Sequence, residues 1–212
     1  MCGKCCIERE DILLNPKDVY RMSKELGITP PQLAKQYGDV YIGHDSRIPI
    51  IRLKPRGSVR RCPLLKDRKC MVHGTKPTVC AMYPIGRAVM KKSEDNHITA
   101  RNIQFIFNNP GCGDKAETHT VREWLEGFGI PVPDEYFVKW QQTISDVGML
   151  LRKAEKTLPA DEMPLLWSAV FAQLYTHYDI RDEFLPQFEE NAALLLATMR
   201  SILDGKGGDN HG

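Results

Sequence analysis

The sequence predicts an α+β protein. Residues 1–117 read as a loop-rich, cysteine-rich metal- or cluster-binding domain with few short strands and helices, and residues 118–212 as a helical domain with a frayed tail. Three observations carry this expectation. All seven cysteines, Cys2, Cys5, Cys6, Cys62, Cys70, Cys80 and Cys112, lie before residue 113. The formal net charge of +2 hides two opposed halves: 21 Lys and Arg face 12 Asp and Glu up to residue 117, and 8 face 15 after it. Proline and glycine break up the stretch from Pro55 to Gly86, whereas apolar residues recur at helical spacing after residue 120.

The elements follow in order. Asn15-Pro16-Lys17-Asp18 offers a cap, a proline at the first helical position and an acid in the first turn, so a helix is predicted from there to Gly27. Thr29-Pro30-Pro31 starts a shorter helix ending near Gly38. Ile48 to Leu53, apolar and β-branched, reads as a strand, and Ile98 to Phe107 as a second with imperfect alternation. Cys62 to Cys70, with Asp67-Arg68 between, reads as a tight hairpin with a thiol at each end. Thr75 to Cys80 reads as the first turn of a short helix, where Lys76 and the helix dipole favour thiolate. Thr120 with Glu123 forms a capping-box pattern. Asp134–Leu158, Asp161–Tyr178 and Leu185–Leu203 are amphipathic helices, and Asp204 to Gly212 is expected to fray.

At 212 residues, with 42% hydrophobic and 26% charged residues, the chain can bury a core, which excludes a wholly disordered or collagen-like polymer. No apolar run approaches the ~20 residues of a membrane span, and the first residues lack a signal-peptide core, so a cytoplasmic location without membrane contact is expected. In a reducing compartment seven thiols point to metal ligation rather than cystine bridges. Three thiols within Cys2-Gly3-Lys4-Cys5-Cys6 cannot all face one ion, so one or two sites remain open. Buried, inert thiols are the plainer alternative, and the clustering disfavours it.

The ordered motifs Cys2-Gly3-Lys4-Cys5-Cys6, Cys62-Pro63-Leu64-Leu65, Cys70-Met71-Val72-His73, Lys76-Pro77, Cys80, Tyr83-Pro84 and Gly111-Cys112-Gly113 resemble the YkgJ-type cysteine-cluster family. That family is described as zinc- or iron-chelating or iron–sulfur-containing, and the resemblance covers roughly residues 1–115. It implies metal ligation by the seven cysteines. One related branch is described as flagellin lysine N-methylases, so a cluster-dependent protein-modifying enzyme is one implied alternative. The family pattern starts CxxCxxCC and this chain shows CxxCC; the leading cysteine would fall two positions before Met1, which leaves a start upstream of Met1 open. Position 73 is His where the family more often has Tyr, and position 81 is Ala where it often has Arg.

Thiolates suit zinc and iron–sulfur alike. The apolar flanks Ile7, Leu64, Leu65, Val79 and Tyr83 favour an iron–sulfur cluster over zinc. His73 is expected beside the ligands rather than among them, and His44, His97, His119, His177 and His211 show no ligand spacing. Tyr83-Pro84 is read as a turn packing on the site. The basic run Arg47 to Lys69 is a solvated face or compensates an anionic cluster; it lacks the aromatic residues that stack bases, which disfavours nucleic acid. No dinucleotide, Walker or radical-type Cys motif occurs, nor a Ser-His-Asp arrangement. Whether the chain is an enzyme stays open. A cluster protein with redox or metal-dependent activity, a modifying enzyme and a zinc-stabilised module binding a protein through its helical half are the three readings.

Overall fold

In the computed structural model, which describes residues 6–8, 10–90, 97–109 and 117–207, a two-residue strand, β1 (Leu13–Leu14), leads into α1 (Pro16–Leu26). The helix starts where the sequence puts it, because Asn15 and Asp18 bond reciprocally to each other's backbone: Asp18 N–H donates to Asn15 Oδ1 at 3.0 Å and Asn15 N–H to Asp18 Oδ2 at 3.2 Å. It stops at Gly27, whose φ of 64° lies in the left-handed region open to glycine. A second capping box, Thr29 with Gln32, starts α2 (Pro30–Tyr37).

The chain then runs straight into β2 (Gly38–Ile42), which pairs antiparallel with β3 (Pro49–Leu53); β1 pairs with the other edge of β3. A Cβ at Gly38 would sit 2.6 Å from both the Ala34 carbonyl oxygen and Ile51, so the helix-to-strand corner needs glycine. A two-stranded hairpin follows, β4 (Leu65–Lys66) with β5 (Lys69–Cys70), then a 3₁₀ turn over His73–Thr75 and a short helix, α3 (Thr78–Met82). The helix starts three residues later than Thr75 because Pro77 fixes an extended backbone before it. A third ribbon pairs β6 (Ile85–Val89) with β7 (Ile103–Phe107). The predicted strand from Ile98 is therefore shorter: a Thr99–Asn102 capping box winds Ala100–Asn102 into a 3₁₀ turn first. Phe107 is 70% exposed, so alternation along β7 does not mark a core face among the described residues.

The remaining described chain is helical: α4 (Val121–Glu126), α5 (Glu135–Thr157), α6 (Met163–Phe171) and α7 (Phe184–Gly207). The predicted helix to Tyr178 ends its α-helical part at Phe171 and continues as a π turn over Ala172–Thr176. α7 runs to Gly207, and residues 208–212 of the tail expected to fray lie outside the described residues. No helix of the described residues is long and apolar enough to cross a membrane.

One apolar core runs through both halves. Val19, Met22, Leu33, Ile51, Leu64 and Val72 from the first meet Trp140, Leu151, Val170, Leu174, Phe188 and Met199 from the second, all buried. Edge-to-face rings, Tyr136 on Phe184 and Phe188, and Trp140 on Tyr175, lock the helices together. The opposed charges of the halves meet at the join. Arg47 Nε donates to both Glu155 oxygens at 2.9 and 3.0 Å, and the Arg47 carbonyl accepts from Trp167 Nε1 at 3.2 Å. Further along the same helix Gly148 lets the backbone through, since a Cβ there would lie 2.6 Å from the Ser46 carbonyl oxygen. A small second core, Ala81 and Met82 with Leu125 and Ile130, ties α3 to α4, helped by Trp124 Nε1 donating to the Met82 carbonyl at 3.1 Å.

Candidate metal centre

The described cysteines are Cys6, Cys62, Cys70 and Cys80, each half-buried. Cys2, Cys5 and Cys112, and with them the Gly111-Cys112-Gly113 motif, lie outside the described residues. Cys6 and Cys62, far apart in sequence, are joined through the backbone: Cys62 N–H donates to the Cys6 carbonyl at 2.8 Å. Glu8 N–H continues the pairing onto the Val59 carbonyl at 3.3 Å, and Arg60 Nη1 meets Glu10 Oε1 at 2.7 Å. Cys6 and Glu8 are thus bonded to the turn that leads into Cys62.

Cys62 in turn opens the hairpin. Its carbonyl accepts from Leu65 N–H at 3.1 Å, Leu65 pairs with Cys70, and Met71 N–H donates to the Leu64 carbonyl at 2.9 Å. Asp67 and Arg68, with φ of 48° and 62°, make the two-residue turn whose twist suits a hairpin. Leu64 and Val72, fully buried, plug the base of this unit into the main core. Cys62 and Cys70 therefore stand at the open end of one small ribbon, with Cys6 alongside.

Cys80 arrives on α3, in its first turn, its N–H bonded to the Pro77 carbonyl at 2.9 Å. What places this helix is a buried carboxylate whose sequence context marks it only as part of a cap. Asp18, 1% exposed, accepts from Thr78 N–H at 2.9 Å and from Thr78 Oγ1–H at 2.6 Å through the oxygen its capping role leaves over. Asn15 Nδ2 donates to Thr78 Oγ1 at 3.2 Å, and the Tyr136 hydroxyl donates to Asn15 Oδ1 at 3.2 Å while accepting from Lys17 N–H at 3.1 Å. Three elements, α1, α3 and α5, are pinned at this one knot. Burial raises the Asp18 pKa above the ordinary carboxylate value, against the pull of the Thr78 and Asn15 bonds and of Arg21. Burial also lifts the Tyr136 hydroxyl well above its usual range, which keeps it a neutral donor.

Cys62, Cys70 and Cys80 all pack on the same core. Among the described residues, no three or more His, Cys, Asp and Glu side chains stand close enough together to hold a metal ion. The backbone brings Cys6 to Cys62, and the hairpin brings Cys62 near Cys70. His73 is exposed on the 3₁₀ turn, and Tyr83 closes α3. The basic run is partly consumed within the fold, since Arg47, Arg52 and Arg60 pair with Glu155, Asp39 and Glu10. A further buried pair has no sequence signal: Arg87 Nη1 and Asp134 Oδ2, at 2.8 Å with side chains 6% and 9% exposed, join β6 to the start of α5. Asp134 Oδ1 also caps that helix, accepting from Phe137 N–H at 3.1 Å, and the Arg87 guanidinium lies 3.5 Å from the Phe137 ring centre. Burial lowers the Arg87 pKa and Asp134 resists the shift.

The arrangement is an α+β unit packed on helices, with thiols carried on a turn, a hairpin and a short helix. A family model described as "CxxCxxCC: Putative zinc- or iron-chelating domain" matches residues 1–106, and the chain belongs to that family. No curated protein and no solved structure matches the chain. Metal binding is the property this membership supports.

Proposed function

We propose that this chain is a cytoplasmic metal protein whose cysteine thiolates hold an iron–sulfur cluster and whose activity is redox or metal-dependent. Cys6, Cys62, Cys70 and Cys80 supply donors, with Cys2, Cys5 and Cys112 completing the set. The observation that carries the reading is the Cys62-to-Cys6 backbone hydrogen bond, which sets Cys6 beside the residue that leads into the hairpin holding Cys70. Thiol sulfur is the donor that zinc and iron–sulfur clusters share. The buried apolar residues between and beside these cysteines, Leu64 and Val72, favour the cluster, because a dry apolar shell shields sulfide from water.

The full chain purified without oxygen is expected to be brown, with a broad absorbance at roughly 400 nm and iron and sulfide in matched amounts. Loss of the colour on chelation or in air agrees with this. Colourless protein with one or two equivalents of zinc per chain, unchanged by air, contradicts the cluster and makes the centre structural.

A further inference from the structure

A cleft of about 550 Å³ lies between the three-stranded sheet, α3, the β6–β7 ribbon and α5. Its size falls in the range of small-molecule sites. Ile50, Met82, Ala88, Phe137, Trp140 and Ile144 give it apolar and aromatic walls. A smaller hollow of about 270 Å³ adjoins it, sharing Ser46, Val89, Gln141 and Ile144. None of Cys6, Cys62, Cys70 and Cys80 lines either space. Helix α3 turns Thr78, Val79 and Met82 toward the cleft, while Cys80 packs on the core with Cys62 and Cys70.

Polar capacity is left over where the two spaces meet. The Ser46 hydroxyl oxygen is buried and has no hydrogen-bond partner among the described residues. The side-chain amide of Gln141, which also lines both spaces, makes no hydrogen bond among the described residues, and neither does that of Asn108 on the β7 side of the cleft. Buried polar groups in folded proteins are seldom left unpaired, so a ligand carrying a carbonyl or hydroxyl would complete the Ser46 hydroxyl, with the more accessible amides of Gln141 and Asn108 as further partners. Charge narrows the class. In the larger cleft the cation in the wall, Arg87, is held by Asp134 and covered by Phe137, and the other charged lining residue, Asp11, is a carboxylate; Arg152 lines the smaller hollow and donates to the Asp45 carbonyl. An anion entering the larger cleft would lose its water without gaining an uncommitted cation in its wall.

We infer that this cleft binds an uncharged, largely apolar small molecule bearing a neutral polar group, at a site separate from the cysteine centre. The proposal holds whichever metal the cysteines carry. The probe pair is N-phenyl-1-naphthylamine and its 8-sulfonate, which share one ring scaffold and differ by a charge.

With the full chain as purified, the neutral probe is expected to bind at one saturable site, at least about tenfold tighter than the sulfonate. In isotope-labelled wild-type protein it should shift the δ-methyl signals of Ile48, Ile50, Ile85 and Ile144, leaving those of Ile106 and Ile202 in place. Ala88→Trp, which fills the cleft from β6, should weaken binding more than tenfold, and Phe107→Ala, which trims the exposed β7 face, should leave it unchanged. Methyl shifts confined to Ile106, binding lost in Phe107→Ala, or tighter binding of the sulfonate would each overturn the assignment. The wild-type methyl map decides the matter even if the tryptophan variant fails to fold.

Discussion

Asp134→Ala is expected to destabilise the protein by about 3–5 kcal/mol. The reason is what stays behind. Arg87 is 6% exposed on its side chain, and without Asp134 its charge would sit buried against the Phe137 ring with no counter-ion. The start of α5 would lose its side-chain cap as well, which accounts for about 1 kcal/mol of the total. Replacing both partners, Arg87→Met with Asp134→Ala, removes the stranded charge and should recover a large part of the loss. Urea unfolding of the two variants checks this. Equal losses in the single and double variants would show that the pair is not what holds β6 to α5.

Asp18→Ala is expected to cost about 2–3 kcal/mol. Three donors, the N–H of Asn15, the N–H of Thr78 and the hydroxyl of Thr78, converge on this carboxylate, and alanine leaves all of them inside the protein. Because α3 is fixed through Thr78, the same change should lower metal content as well as stability. The pH dependence has a definite sign. A carboxyl whose folded pKa is raised is protonated more readily in the folded state than in the unfolded one. Its contribution is fully present below the unfolded value of 3.8 and declines as pH rises through the folded value. The stability of wild type relative to Asp18→Asn should accordingly fall with rising pH across that window. A difference that grows with pH would mean that the hydrogen bonds outweigh burial at this residue.

Features made by neighbours in the chain are legible in the amino-acid sequence alone. The caps at Asn15, Thr29 and Thr120 act over three residues, and the Asp67-Arg68 turn closes a ribbon of only a few more, so local chemistry decides them. Strands β1, β2 and β6 carry no such local mark, because each exists only through a partner elsewhere; Val40 needs Ile51, and Arg87 needs Phe105. The π turn after Phe171 has the apolar spacing of an ordinary helix and no marker of its own. The charge contrast between the halves is visible as composition, but its use, Arg47 clasped by Glu155, is not. At the site, the cysteines and the hairpin are readable as motifs. Asp18 looks like a cap alone, since its second role depends on Thr78, sixty residues on.

The central proposal is that thiols distant in sequence share one inorganic centre. Its most direct test is metal and sulfide analysis of four full-length single variants, Cys6→Ser, Cys62→Ser, Cys70→Ser and Cys80→Ser, each prepared without oxygen beside the wild type. Each is expected to retain less than about half of the wild-type metal, with the first half of the chain loosened in proportion, because ligand loss and unfolding are linked. Wild-type metal content in both Cys62→Ser and Cys80→Ser would contradict the claim.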